Sequence, residues 1–215
     1  GGGDCPGLNA VIRAVVVKGI RNYNYKFIGI KNGWAGLLDF EWTILDRESV
    51  SGIIHRGGTI LGTSRTNPVK TKEVKELVIE NYKKLRLDAL IAIGGEDTLG
   101  AGLELYKSGL NIVGVPKTID NDVGGTDFTF GFETAVQIAT EAIDRLHTTA
   151  ESHHRIIIVE VMGRHAGWIA TYAGIAGGAD VVLIPEVPFK LEDIVQVIKA
   201  RRERGKTFSI VVIAE

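Results

Sequence analysis

An almost unbroken alternation of apolar runs and helical periodicity constrains this chain more than any other feature. The pattern predicts helices over Leu8–Arg21, Lys72–Leu85, Thr98–Ser108, Phe132–Ala150, Ala166–Ala176 and Leu191–Arg204. Strands are predicted over Lys26–Ile30, Ala89–Ile93, Asn111–Val115, Ile156–Val161, Val181–Ile184 and Ser209–Ala214, whereas Trp34–Glu48 reads as irregular. Strands that take turns with helices in this way call for mostly parallel sheets with helices on both faces. The expected fold is therefore α/β, with two Rossmann-like lobes: residues 1–150, and residues 151–215 as the start of a second, truncated lobe. On the Lys72–Leu85 helix, Val74, Leu77, Val78 and Tyr82 mark the expected buried side. On Phe132–Ala150 the same role falls to Ala135, Ile138, Ala139, Ala142, Ile143 and Leu146.

Charge excludes some partners. Twenty-five basic residues against 26 acidic ones leave no signature of a nucleic-acid or membrane-surface partner. The single cysteine, Cys5, cannot form an internal disulfide, which suits a reducing cytoplasm. No apolar run reaches membrane-spanning length. The first residues read as the inside of a glycine loop and the last as the end of a strand, so a fragment of a longer enzyme is expected.

The segment Pro116-Lys117-Thr118-Ile119-Asp120-Asn121-Asp122 places two carboxylates, an amine and a hydroxyl after the Asn111–Val115 strand, which Pro116 is expected to end. In extended geometry Asp120 and Asp122 point the same way while Asn121 turns aside. A carboxylate beside a fixed cation can take the proton of an attacking hydroxyl, which is general-base chemistry. The same residues also suit a capped loop whose aspartates satisfy backbone N–H groups.

Glycine turns recur at Gly1-Gly2-Gly3-Asp4, Arg56-Gly57-Gly58-Thr59, Gly94-Gly95-Glu96-Asp97-Thr98 and Met162-Gly163-Arg164. Where parallel strands end, glycine lets backbone N–H groups approach phosphate oxygens, and a following helix N-terminus favours the anion. Neither Gly-x-x-x-x-Gly-Lys-Ser/Thr nor Gly-x-Gly-x-x-Gly occurs, so the usual nucleotide fingerprints are absent. Glu96 is a hard oxygen ligand suited to magnesium, or else an acid that complements a helix N-terminus. Arg65 offers a planar fork to phosphoryl oxygens, although by itself it also reads as a surface arginine. Arg155 and Arg164 flank one strand and so stand at its opposite ends. His147, His153, His154 and His165 lack metal-ligand spacing and read as polar surface or junction residues. Cys5 has no adjacent base. Trp34, Trp42 and Trp168 read as core or interface aromatics.

Together the motifs resemble the phosphofructokinase family. The resemblance is carried by Gly-Gly-Asp-x-Pro-Gly-Leu-Asn at 2–9, Arg56-Gly57-Gly58-Thr59-x-Leu61-Gly62, Gly94–Thr98, Pro116–Asp122, Gly131-Phe132-x-Thr134-Ala135 and Glu160–Gly167. It implies phosphoryl transfer to the 1-hydroxyl of fructose 6-phosphate, with Asp120 as the base and Thr118, Ile119 and Asp122 shaping the pocket. Met162, Gly163, Arg164 and Glu215 would hold the sugar phosphate. Gly2, Gly3 and Arg65 would contact the phosphoryl donor, with Glu96 in the Mg2+ position. Arg155 is similar to the family arginine that reaches into a neighbouring subunit, which implies a homodimer or homotetramer. The family's strand before the first glycine loop, and its later arginine and histidine that grip the sugar phosphate, lie outside this sequence.

Two departures bear on the donor. ATP-dependent members of the family usually carry glycine at the positions of Asp97 and Lys117. Aspartate at 97 puts a side chain and a negative charge where the α-phosphate of ATP would lie. Lysine at 117 supplies a compact cation to a smaller, more highly charged donor. The pair resembles the pyrophosphate-dependent, actinomycete-type branch and gives Asp97 and Lys117 catalytic roles beside Asp120. Some ATP users of that group also carry the lysine, so Asp97 is the sharper signal. An ATP-dependent 6-phosphofructokinase is the alternative. NAD and lipid kinases share a Gly-Gly-Asp-like turn but lack the Thr-Ile-Asp-Asn-Asp motif. A non-enzymatic sugar-phosphate sensor would have no use for both Asp120 and Glu96.

Overall fold

The computed structural model describes residues 6–215, so Gly2, Gly3 and Cys5 lie outside the described residues. The chain forms two compact units, the first ending at Thr118 and the second running from Ile119 to Glu215. That border falls inside the Pro116–Asp122 stretch.

The first unit contains α1 (Leu8–Tyr23), β1 (Phe27–Ile30), α2 (Trp34–Leu38), β2 (Trp42–Leu45), α3 (Lys72–Lys84), β3 (Leu90–Gly94), α4 (Glu96–Lys107) and β4 (Ile112–Thr118). Strands β3 and β4 pair in parallel, with Gly94 opposite Pro116. Ala92 faces Gly102 of α4, while Ile93 packs into the cluster built on Ile12 and Val16 of α1. Successive strand residues point to opposite faces, so helices cover both sides of this sheet.

Three local expectations are corrected here. Pro116 does not end its strand, because β4 runs on to Thr118. Proline removes one N–H but keeps a φ compatible with extended backbone, and its carbonyl still accepts. The Trp34–Glu48 stretch is not irregular: it holds α2, and β2 pairs antiparallel with β1, Ile28 opposite Ile44 and Ile30 opposite Trp42. Elements of five and four residues are too short to show a period, and β2 depends on the ladder that β1 offers. The third correction is the face of α3, which buries Val78, Asn81 and Tyr82 and leaves Leu77 exposed. Asn81 Nδ2 donates to the carbonyls of Leu37 at 2.9 Å and Leu38 at 3.0 Å, satisfying orphan acceptors at the end of α2.

Asn9, 2% exposed, fastens a second join. Its Nδ2 donates to the Arg56 carbonyl at 2.9 Å and the Gly57 carbonyl at 3.4 Å, and its Oδ1 accepts from the Ile60 N–H at 2.9 Å. The Arg56–Thr59 glycine turn is thereby tied to the first turn of α1.

The second unit contains β5 (Phe130–Gly131), α5 (Phe132–His153), β6 (Ile156–Val161), α6 (Trp168–Ala176), β7 (Val181–Leu183), α7 (Leu191–Glu203) and β8 (Ser209–Ala214). Its sheet has the order β6-β8-β7 and is wholly parallel. Ile143 and Ala150 of α5, with Ala170 and Ala173 of α6, close over Ile210 and Val212 of β8 and over Ile157, Val159 and Val161 of β6. Ile138, expected on the inner face of α5, is exposed, and Phe132 at the helix start is buried instead. On the opposite side of the sheet Val211 is buried while Ile156 and Ile158 are exposed. Helix α7 buries none of its residues and is held through Arg201, which pairs with Asp180 at 2.7 Å and donates to Ser209 Oγ at 3.2 Å.

Candidate functional site

In the first unit, Glu96, Asp97, Lys117 and Thr118 stand where β3 and β4 run out. The Gly94–Pro116 register brings both strand ends to one carboxyl edge, where ligands of open α/β sheets collect. A Cβ added to Gly95 would lie 3.8 Å from the Lys117 carbonyl oxygen and 3.9 Å from Thr118 Cβ, so the glycine loop lies alongside the strand end. Helix α4 begins at Glu96, two residues earlier than the pattern suggests, and Gly95 at its N-cap brings no side-chain cap. Its first turn carries the exposed carboxylates of Glu96 and Asp97. Lys117 is 4% exposed, a cation taken out of water beside that loop. Arg65 is exposed on the segment between β2 and α3.

The second unit opens with Ile119, half-buried Asp120 and Asn121, and exposed Asp122. The extended geometry expected for 120–122 does not form, because Asn121 adopts φ 54°. A left-handed residue between two aspartates breaks the alternation that would have aligned them. Asn121 is a residue that sequence reasoning overlooked. Its Nδ2 donates to the Asp127 carbonyl at 3.2 Å, and its Oδ1 accepts from the Thr129 N–H at 2.9 Å and the Thr129 hydroxyl at 3.3 Å. The signal was present, since asparagine is among the few residues that tolerate a positive φ.

A second set meets at the carboxyl edge of the β6-β8-β7 sheet. Val161 and Ala214 are in register, and the Glu215 N–H donates to the Val161 carbonyl at 2.9 Å. Met162, Gly163, Arg164 and Glu215 therefore leave the sheet together. The turn is tight: a Cβ on Gly163 would collide with the Ala166 carbonyl, Arg164 has φ 58°, and the Ala166 N–H donates to the Gly163 carbonyl at 2.9 Å. This turn delays α6 to Trp168, two residues after its expected start. Glu186 was also overlooked; its Oε1 accepts from the Gly167 N–H at 2.7 Å just before α6. Arg155 precedes β6 and so stands at the other end of the strand from Arg164.

Of the histidines, His147 is engaged, its Nε2 lying 2.7 Å from the Gly177 carbonyl and its ring against Phe208. His154 ends α5 in a left-handed conformation. Trp42 and Trp168 are exposed and Trp34 is half-buried. Among the described residues, no group of three or more His, Cys, Asp or Glu is placed to hold a metal. The exposed Glu96 carboxylate in the first turn of α4 is the kind of single oxygen donor that suits Mg2+, which keeps several waters and takes one or two carboxylates together with substrate phosphates. Among the described residues, no helix is long and apolar enough to cross a membrane.

A family model described as phosphofructokinase matches residues 1–215. The chain is 58% identical over 216 residues to a pyrophosphate–fructose 6-phosphate 1-phosphotransferase of Streptomyces coelicolor, all of this chain aligning with 63% of that protein. It is 54% identical over 227 residues to ATP-dependent 6-phosphofructokinase 2 of Clostridium perfringens, again over all of this chain and 62% of the relative. The crystal structure of Pichia pastoris phosphofructokinase in the T-state matches with a TM-score of 0.91 at 34% identity, covering 100% of this chain and 26% of that one. The chain thus spans 62% to 63% of the length of these two curated relatives. With a family model matched along its whole length and relatives of this identity, the chain belongs to the phosphofructokinase family.

Proposed function

We propose that the protein transfers a phosphoryl group from pyrophosphate to the 1-hydroxyl of fructose 6-phosphate, giving fructose 1,6-bisphosphate in a reversible step of glycolysis. Asp120 takes the proton of the 1-hydroxyl. The oxygen so activated attacks the near phosphorus of the donor, the bond from that phosphorus to the bridging oxygen breaks, and inorganic phosphate leaves. Thr118, Ile119 and Asp122 shape the pocket around the reacting hydroxyl, and Met162, Gly163, Arg164 and Glu215 hold the sugar phosphate. Gly2, Gly3 and Arg65 contact the donor, and Glu96 holds Mg2+. When bound, the metal neutralises charge on the phosphoryl oxygens. In this reading residues 1–150 are the donor lobe and 151–215 begin the sugar-phosphate lobe of a cytoplasmic enzyme.

The observation that carries the choice of donor is the placement of Asp97 and Lys117. One puts an exposed carboxylate in the first turn of α4, and the other buries an ammonium at the adjoining end of β4. The carboxylate opposes the extra phosphate of a nucleotide, and a buried cation acts more strongly on a compact anion than one in water. A second reading, with ATP as donor, is favoured by the 54% identity to the Clostridium perfringens protein named ATP-dependent. Initial rates of the full-length protein with pyrophosphate and with ATP separate the two. Faster turnover is expected with pyrophosphate, and a wild-type preference for ATP rejects that donor.

Arg155 stands at the opposite strand end from Arg164, which supports its service to a neighbouring site in a homodimer or homotetramer. Arg155→Ala should raise the KM for fructose 6-phosphate and leave the donor KM nearly unchanged. Mixed oligomers of Arg155→Ala and Asp120→Asn subunits should regain part of the activity. No recovery in verified hybrids would mean that each site is built from one chain.

A further inference from the structure

We propose that Asn121 is a positioning residue, holding the backbone that carries Asp120 in the one geometry the reaction needs. The inference rests on the reading of Asp120 as the base. Asn121 sits at φ 54°, a conformation most side chains avoid, and its amide uses both ends across a single loop. The amide nitrogen donates to the Asp127 carbonyl at 3.2 Å, while Oδ1 accepts from the Thr129 N–H at 2.9 Å and the Thr129 hydroxyl at 3.3 Å.

The far side of this strap is anchored. Thr129 is 4% exposed, its carbonyl accepts from the Phe132 N–H at 3.2 Å, and Phe132 is 1% exposed at the start of α5. Between the two anchored ends lie Gly124 and Gly125, where an added Cβ would meet nothing within 4 Å. A loop with adjacent glycines has wide conformational freedom. The cross-loop amide removes that freedom at the position next to Asp120. A base acts only within hydrogen-bond reach of the proton it takes, and a shift of about 1 Å can cost on the order of 10²-fold in rate. Holding the aspartate still is thus a contribution to turnover, and one separable from binding.

The test compares Asn121→Ala and Asn121→Gly in the full-length protein, with Asp120→Asn as control, measuring kcat per folded molecule, KM and melting temperature. Asn121→Ala should lower kcat by about 10²-fold and move the KM for fructose 6-phosphate by less than about threefold. Asn121→Gly accepts the positive φ but lacks the strap, and its kcat should fall between alanine and wild type. Lower melting temperatures with unchanged kcat per folded molecule would overturn the proposal. Should Asn121→Ala fail to fold, the same kcat-against-KM split in Asn121→Gly decides. The control separates the two ideas. An active Asp120→Asn enzyme removes the base reading and this proposal with it, whereas an inactive Asp120→Asn beside fully active Asn121 variants removes this proposal alone.

Discussion

Asp120→Asn is expected to lower turnover by about 10²–10⁴-fold, the range that a positioned general base contributes. Sugar-phosphate affinity should change far less. The amide keeps the size of the side chain and one acceptor oxygen, but it cannot take up the proton of the 1-hydroxyl. Because Asp120 is only half-buried, the substitution leaves no isolated charge in the core, and the fold should survive it. Steady-state kcat beside fructose 6-phosphate binding by calorimetry provides the measurement. Retention of more than about a tenth of wild-type turnover would show that another group accepts the proton. Asp120→Ser should behave in the same way, which guards against a peculiarity of the amide.

Lys117→Gly should weaken pyrophosphate catalysis by about 3–4 kcal/mol, as for loss of one preorganised electrostatic contact to a transferring group, or roughly 10²–10³-fold in rate. Burial of the ammonium supports a value of this size, since charge acts more strongly out of water. Glycine inside β4 also costs roughly 1 kcal/mol of stability, so rates must be referred to folded protein. Asp97→Gly acts in the other direction. It removes a carboxylate and a Cβ from the first turn of α4, and ATP use should appear or rise while pyrophosphate use stays level or falls. The double variant should lean furthest toward ATP. Kinetics of the wild type and the three variants with both donors decide the matter, and an Asp97→Gly enzyme with no gain in ATP use would reject exclusion by Asp97.

The alternation of long strand and helix patterns was enough to place twelve of the elements near their observed ranges, because apolar periodicity reports burial directly. It failed where elements were short or where polar groups set the packing. β2 has four residues and no legible period, and its existence depends on β1 twelve or more positions earlier in the chain. The burial of Asn81 in place of Leu77 answers to two carbonyls at the end of α2, which no pattern within α3 can reveal. Pro116 gave a stop signal, yet β4 runs on to Thr118, past the last parallel pair of Gly94 and Pro116.

The candidate site divides along the same line. The residue types at Glu96, Asp97, Lys117, Asp120 and Arg164 state their chemistry in the sequence, because carboxylates, ammonium and guanidinium carry charge wherever they stand. Their arrangement is a matter of tertiary structure. Parallel register alone sets Gly94 beside Pro116 and Val161 beside Ala214, bringing residues 22 and 53 positions apart to shared strand edges. The same holds for the neutral asparagines. Asn9 reaches across to Arg56 and Asn121 across its own loop to Thr129. An amide has no charge to announce its role, and its hydrogen-bond partners exist only once the chain has folded around it.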